Sequence, residues 1–291
     1  MDASLEKRRL QEIGGSLFIS LPQDWIKTLQ LRKGTEILIE KGPNNELHLS
    51  PNKPAQTDNN TTQLTFGPHL YRQLISQYLH GTSFITVQNQ GGFSKKQRQE
   101  IVDYTNRLMN VEVVEETATK ITLQHFHTTD APLKLLIQRM YFLTHSMFLD
   151  LATAKTQAEV ESILDRDATV GKIYLNIIMH LRSLLTGKLL TKEYTLVEIL
   201  DLRLLIKQIE LIGDEIKQLA KELLAGTKCK TQDITFLAQR YEQAFKAYLD
   251  RDVPSAATYW DTEKKDKQRV QYNPCLLRIY AHIKDISDLV I

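Results

Sequence analysis

From Pro132 to the C-terminus the apolar residues recur with helical spacing, and this unbroken pattern constrains the fold more than any other feature of the chain. The periodicity predicts six helices, near 132–154, 157–186, 195–225, 231–251, 254–271 and 275–290. Stop and turn signals separate them: Thr186-Gly187, Ala225-Gly226-Thr227, Val253-Pro254 and Asn273-Pro274. Helices joined by short loops and carrying apolar stripes pack as antiparallel bundles. The helices fall into two groups of three, the second shorter and more charged.

Upstream of this region the composition changes twice. Residues 1–51 show short alternating runs broken by Gly, Pro and Asn. Leu17, Ile19 and Leu21 alternate with Phe18 and Ser20, the period of a strand. Ile37-Leu38-Ile39 and Leu47-His48-Leu49 face each other across a hairpin turn at 41–46, and one short helix fits Gln23 to Leu29. Four short strands and a helix enclose little core, so this unit is expected to pair with a second copy of itself. Residues 52–63 contain almost nothing apolar and read as a flexible linker. Residues 64–127 read as helix, strand, helix, strand, strand, with Ser94 as an N-cap and Gly91-Gly92 as a turn instead of a phosphate loop. The fold class is therefore α+β and multidomain: a β-rich unit at 1–51, a linker at 52–63, a small α/β domain at 64–127 and an all-α region at 128–291 made of paired three-helix bundles.

Several function classes are excluded at this level. The chain has 291 residues, 42% of them hydrophobic and 25% charged, and a net charge of +2, so any basic surface has to be local. No uncharged apolar run approaches the roughly 20 residues that span a bilayer, and no apolar stretch follows Lys7-Arg8-Arg9 as a signal peptide requires. A cytoplasmic protein without membrane insertion is expected. Cys229 and Cys275 stand apart, without CxxC or a nearby His, and read as reduced thiols. GxSxG, HExxH, the P-loop pattern and GxGxxG after a strand are all missing, so no catalytic residue is assigned and no enzyme is expected. His125 and His127, two apart on a strand, read as a surface pair.

Two sets of charged residues remain as candidate sites. In the second helix, Asp167 falls on the apolar stripe of Val160, Ile163, Val170 and Ile177, with Asp165 and Glu161 beside it. In the third helix, Glu210 and Asp214 lie four apart at the border of the core face. Carboxylates converging from facing helices suit a hard metal ion. The same residues also suit ordinary intrahelical pairs, Lys207 with Glu210 and Lys217 with Asp214. For nucleic acid the candidates are Lys7, Arg8, Arg9 and Lys27, with Arg32 and Lys33, which a dimer presents twice. A solvated rim is the other reading of that set.

Two stretches of the helical region resemble the PhoU family. Glu210-Leu211-Ile212-Gly213-Asp214, continuing to Leu219-Ala220, is similar to the family's E-R-I-G-D-x-x-x-x-I-A helix. Asp165-Arg166-Asp167-Ala168-Thr169-Val170 to Tyr174 resembles the helix before it. The resemblance implies two three-helix units and a divalent or iron ion held by Asp165, Asp167, Glu210 and Asp214. It also implies repression of phosphate uptake through a phosphate transporter or sensor kinase. In the second unit Ala281 stands where the family has Glu, which leaves Asp285 alone.

The N-terminus resembles the swapped-hairpin superfamily of AbrB, SpoVT and the antitoxin MazE. The resemblance rests on Gly14-Gly15-Ser16-Leu17-Phe18-Ile19-Ser20-Leu21-Pro22, Trp25 and Leu31-Arg32-Lys33-Gly34. It implies an interlocked homodimeric β-barrel and, for many members, binding of double-stranded DNA through arginines flanking the proline; the contacts expected here are Lys7, Arg8, Arg9 and Lys27. Ser20 departs from the arginine common before this Leu-Pro pair. Together the two resemblances imply a phosphate-responsive transcriptional regulator. The alternatives are an adaptor that never touches DNA and an antitoxin.

Overall fold

The computed structural model describes residues 6–41, 46–51, 60–126, 132–186 and 194–290, and the chain divides into two compact units, 1–58 and 59–291.

In the first unit β1 (Gln11–Ile13) and β2 (Ser16–Phe18) form an antiparallel hairpin that sets Glu12 opposite Leu17. Gly14 and Gly15 make its turn at φ 61° and 81°. A two-residue hairpin with positive φ at both positions needs residues without a Cβ penalty, which is why the pair is Gly-Gly. Helix α1 (Gln23–Thr28) begins after Pro22, where a missing N–H donor costs nothing. Strands β3 (Ile37–Lys41) and β4 (Leu47–Pro51) pair antiparallel, Ile39 opposite Leu49. The tip of the turn read at 41–46 lies outside the described residues. None of the described residues of this unit is buried.

The second unit opens with a four-stranded sheet in the order β5-β6-β8-β7. Strand β5 (Thr61–Thr65) runs parallel to β6 (Phe84–Gln88), and β8 (Lys120–His125) is antiparallel to both β6 and β7 (Val111–Glu116). This corrects the linker, because Thr61, Thr62 and Gln63 belong to β5. The strand was hidden by composition: it lies at the sheet edge, Leu64 is its one aliphatic residue, and threonine suits a pleated strand as well as a linker. Helices α2 (Leu70–Leu79) and α3 (Lys95–Thr105) pack on the sheet over Leu74, Tyr78, Ile85, Ile101 and Leu123. Ser94 caps α3 in a reciprocal box with Gln97. His125 corrects a second expectation: it is buried, its ring 4.8 Å from that of Tyr78, while His127 lies outside the described residues.

The helices of the C-terminal region are α4 (Leu133–Leu151), α5 (Gln157–Leu185), α6 (Leu196–Leu224), α7 (Thr231–Asp250), α8 (Val253–Val270) and α9 (Pro274–Ser287). Thr156 with Glu159 and Thr195 with Glu198 box the N-termini of α5 and α6, and Asp252 and Asn273 cap α8 and α9. The groups α4–α6 and α7–α9 share one core, α6 against α9 and α4 against α7. At the second of these junctions Tyr141 and Phe245 stack with centroids 3.9 Å apart. The sheet layer and the helices, read from sequence as separate domains, form a single compact unit. Asn176 of α5 donates to the Tyr78 hydroxyl at 3.0 Å, and Met179 packs into the core under the sheet.

Candidate functional site

Where α5 crosses α6, Gly213 faces Asp167 and Val170. A Cβ there would stand 3.5 Å from Asp167 Oδ1 and 3.8 Å from Val170. Asp167, whose side chain is 15% exposed, lies within reach of Lys217 one turn further along α6. Lys217 Nζ donates to Asp167 Oδ2 at 2.7 Å and to Asp214 Oδ1 at 2.5 Å, so one ammonium bridges carboxylates on two helices. Burial raises the Asp167 pKa above the ordinary aspartate value, against the pull of Lys217. Burial opposes the Lys217 charge as well, but the hydrogen bonds to Asp167 and Asp214 outweigh it and lift its pKa above that of free lysine.

The other residues proposed as metal ligands are engaged differently. Glu210 accepts from Lys207 Nζ at 2.6 Å. Asp165 is exposed, with its carbonyl accepting from the Thr169 hydroxyl at 3.2 Å. Among the described residues no three His, Cys, Asp or Glu side chains come together to hold a metal ion. The cation between Asp167 and Asp214 is the Lys217 ammonium. The intrahelical pairs open at the sequence level are both present. The cross-helix bond of Lys217 to Asp167 is what sequence reasoning missed. Its signal was an aspartate on an apolar stripe, which needs a counter-charge.

Further buried charge lies in the second helix group, which the sequence showed only as richer in charge. Arg240 and Asp266 pair across α7 and α8 with side chains 13% and 7% exposed, and Arg269 holds the buried Asp233 at 2.7 Å. A cavity of about 590 Å³ opens at one end of the bundle, lined in part by Lys134, Asp201, Tyr248 and Arg251. Burial pushes the Tyr248 hydroxyl up to about 12, and Arg251 is paired with the helix-capping Glu198 at 2.8 Å, so neither is poised to react.

In the N-terminal unit Lys7, Arg8 and Arg9 are exposed in the segment before β1, and Lys27 is exposed in the last turn of α1. Arg8 donates to Glu6. Arg32 and Lys33 are exposed in the following turn, which the Arg32 backbone N–H closes on Thr35 Oγ1 at 3.0 Å. The apolar residues of the same unit face outward as well, Leu17 at 67% exposure and Ile39 at 63%.

No curated protein matches the sequence. The crystal structure of PhoU from Pseudomonas aeruginosa is similar with a TM-score of 0.45 and 16% identity, over 55% of this chain and 93% of that one. No described helix is long and apolar enough to cross a membrane. Residues 10–57, the N-terminal unit with its paired hairpins, match the family of the bacterial antitoxin MazE, described as antidote-toxin recognition, and this unit is MazE-like.

Proposed function

We propose that the protein is a homodimeric, phosphate-responsive transcriptional regulator with no catalytic role. Its MazE-like unit dimerises and binds double-stranded DNA, and its helical bundle receives the phosphate signal. The observation that carries the DNA arm is the exposed basic set Lys7, Arg8, Arg9 and Lys27 on a unit that buries none of its described residues. Two copies brought together by their outward apolar faces present that set twice. Clustered lysine and arginine bind phosphate backbone by releasing counterions, independently of base sequence. The phosphate arm is supported by the likeness of the segment from Glu210 to Ala220 to the PhoU helix. The bundle would transmit its signal without a metal at Asp167 and Asp214, since Lys217 supplies their cation.

Fluorescence anisotropy on random-sequence duplex DNA tests the DNA arm. Binding is expected to weaken about 10³-fold or more between 50 and 200 mM salt. The double substitution of Arg8 and Arg9 by Ala is expected to flatten the salt slope by roughly 4 in a dimer, about one per lost contact. Absence of binding at low salt would sink the DNA arm.

A second reading has its own support. Ser20 stands where an arginine is common, and Arg8 already holds Glu6. In that reading the N-terminal unit only dimerises, and the bundle docks on a phosphate transporter or its sensor kinase. Salt-independent behaviour on DNA, with the dimer intact, selects it.

A further inference from the structure

The cavity of about 590 Å³ at the end of the helical bundle falls within the roughly 300–1,000 Å³ of sites that take small organic ligands. One wall is the first two turns of α6, where Val197, Glu198, Asp201 and Leu202 recur at the spacing of a single helix face. Tyr194, just before that helix, and Tyr248, in the last turn of α7, also line it. Ile137 of α4, Leu202 and Val290, which follows α9, give it buried apolar walls.

Four charged residues line the cavity, and three of them are already satisfied. Glu198 has both oxygens engaged: Oε2 accepts from the Thr195 N–H at 2.8 Å and the Thr195 hydroxyl at 3.0 Å, and Oε1 accepts from Arg251 at 2.8 Å. That pair neutralises Arg251. Lys134 is exposed, so water solvates its ammonium. Asp201 differs. It is half-buried, and no described residue gives it a hydrogen bond or an ion pair. Burial first, and then the Asp201 charge, push the Tyr248 hydroxyl up to about 12, so Tyr248 stays neutral. A carboxylate held partly out of water without a counter-ion gains more from a cation than an exposed group does. The tyrosine rings favour the same sign, because the face of a π-system attracts positive charge.

We propose that this cavity binds an organic monocation, a protonated amine on an apolar body, with its ammonium on Asp201 and its body against Ile137, Leu202 and Val290. An anion meets the Asp201 carboxylate there and finds the Arg251 guanidinium already taken. The walls come from α4 and α6 of the first helix group and from α7 and the end of α9 in the second, so a bound ligand ties the two groups together. This gives the bundle an input of its own, which stands whether or not the DNA and phosphate readings hold.

Calorimetric titration of the full chain with tryptamine tests the site, with indole-3-propionate as an anion of nearly the same shape. Tryptamine is expected to bind in about the millimolar range, as suits a ligand of its size, and indole-3-propionate at least about tenfold more weakly. Asp201→Asn is expected to weaken tryptamine about tenfold, the loss of one charge-assisted hydrogen bond. Asp165→Asn, on an exposed carboxylate of α5, is expected to leave its affinity unchanged. Val197→Trp, on a residue that lines the cavity but is 68% exposed, is expected to fill it and abolish binding without disturbing the core. Melting of each variant with the parent shows that the fold is kept. Absence of tryptamine binding up to about 10 mM, well above the affinity expected for its size, overturns the proposal. So does tighter binding of indole-3-propionate, or tryptamine affinity that Asp201→Asn or Val197→Trp leaves unchanged.

Discussion

Replacing Lys217 by methionine is expected to destabilise the helical unit by about 2 kcal/mol at neutral pH. Breaking a fully buried ion pair costs roughly 3–5 kcal/mol, because the remaining charge loses its partner without regaining water. Lys217 is 30% exposed and Asp214 46%, so only Asp167 is truly stranded and the cost falls below that range. For a unit of this size about 2 kcal/mol is a drop of roughly 4–8 °C in Tm. The pH dependence follows from the directions of the shifts. Asp167 has a folded pKa above its unfolded value, so its charging costs stability as pH rises through that interval, and in the variant the interval widens. The gap between variant and parent should therefore narrow as the pH falls through the raised Asp167 pKa and the carboxylate takes up a proton. Lys217, with Asp214 and Lys221 also facing Asp167, contributes stability that is complete below the ordinary lysine pKa and lost as pH rises through its raised folded value. Asp167→Asn in the Lys217→Met background should restore most of the loss by removing the stranded charge. Chelation separates this from a metal site: a bound ion stabilises by mass action, so EDTA lowers Tm wherever one is present. Thermal unfolding of the parent is expected to be unmoved by EDTA. A fall in Tm with EDTA, or a Lys217→Met protein that melts with the parent, would show that the ammonium is not the cation of this site.

The helical half was readable because its signals are local. Apolar spacing set the six helices to within a few residues, and Thr156, Thr195 and Asn273 fix N-termini through side chains that lie next to the backbone groups they bond. What failed was information carried between distant residues. Asp167 and Lys217 are 50 positions apart, and their contact depends on the register of α5 on α6. His125 was misread for a related reason. Alternation put it on a strand, but whether that face is covered depends on α2 bringing Tyr78 over it. Strand β5 needed β6 to be visible at all, since Thr61, Thr62, Gln63 and Thr65 are as polar as a linker. The Lys217 ammonium that joins Asp167 and Asp214 was seen in the sequence only as the neighbour of Asp214.

Introducing aspartate at Leu17 and Ile39 is expected to abolish the dimer, and the sign of the effect decides how the N-terminal unit folds. In the single chain these side chains are 67% and 63% exposed. Substitution of surface residues that exposed costs within about 0.5 kcal/mol in either direction. If a second copy covers them, each loses about 1.5–3 kcal/mol of burial in both protomers, and each new carboxylate pays several kcal/mol more for leaving water. The sum is on the order of 6 kcal/mol or greater, at least about 10⁴-fold in the dimer dissociation constant. Sedimentation should then show monomer at concentrations where the parent is dimeric, while the helical unit keeps its Tm because its core is separate. Leu204→Asp, also on an exposed leucine, is the control for charge alone and should leave the dimer intact. DNA affinity in the double variant should fall along with dimerisation, since halving the number of basic segments halves the counterions released. A double variant that remains dimeric would place the dimer contact elsewhere in the chain and leave the exposed apolar strands of the MazE-like unit for a different partner.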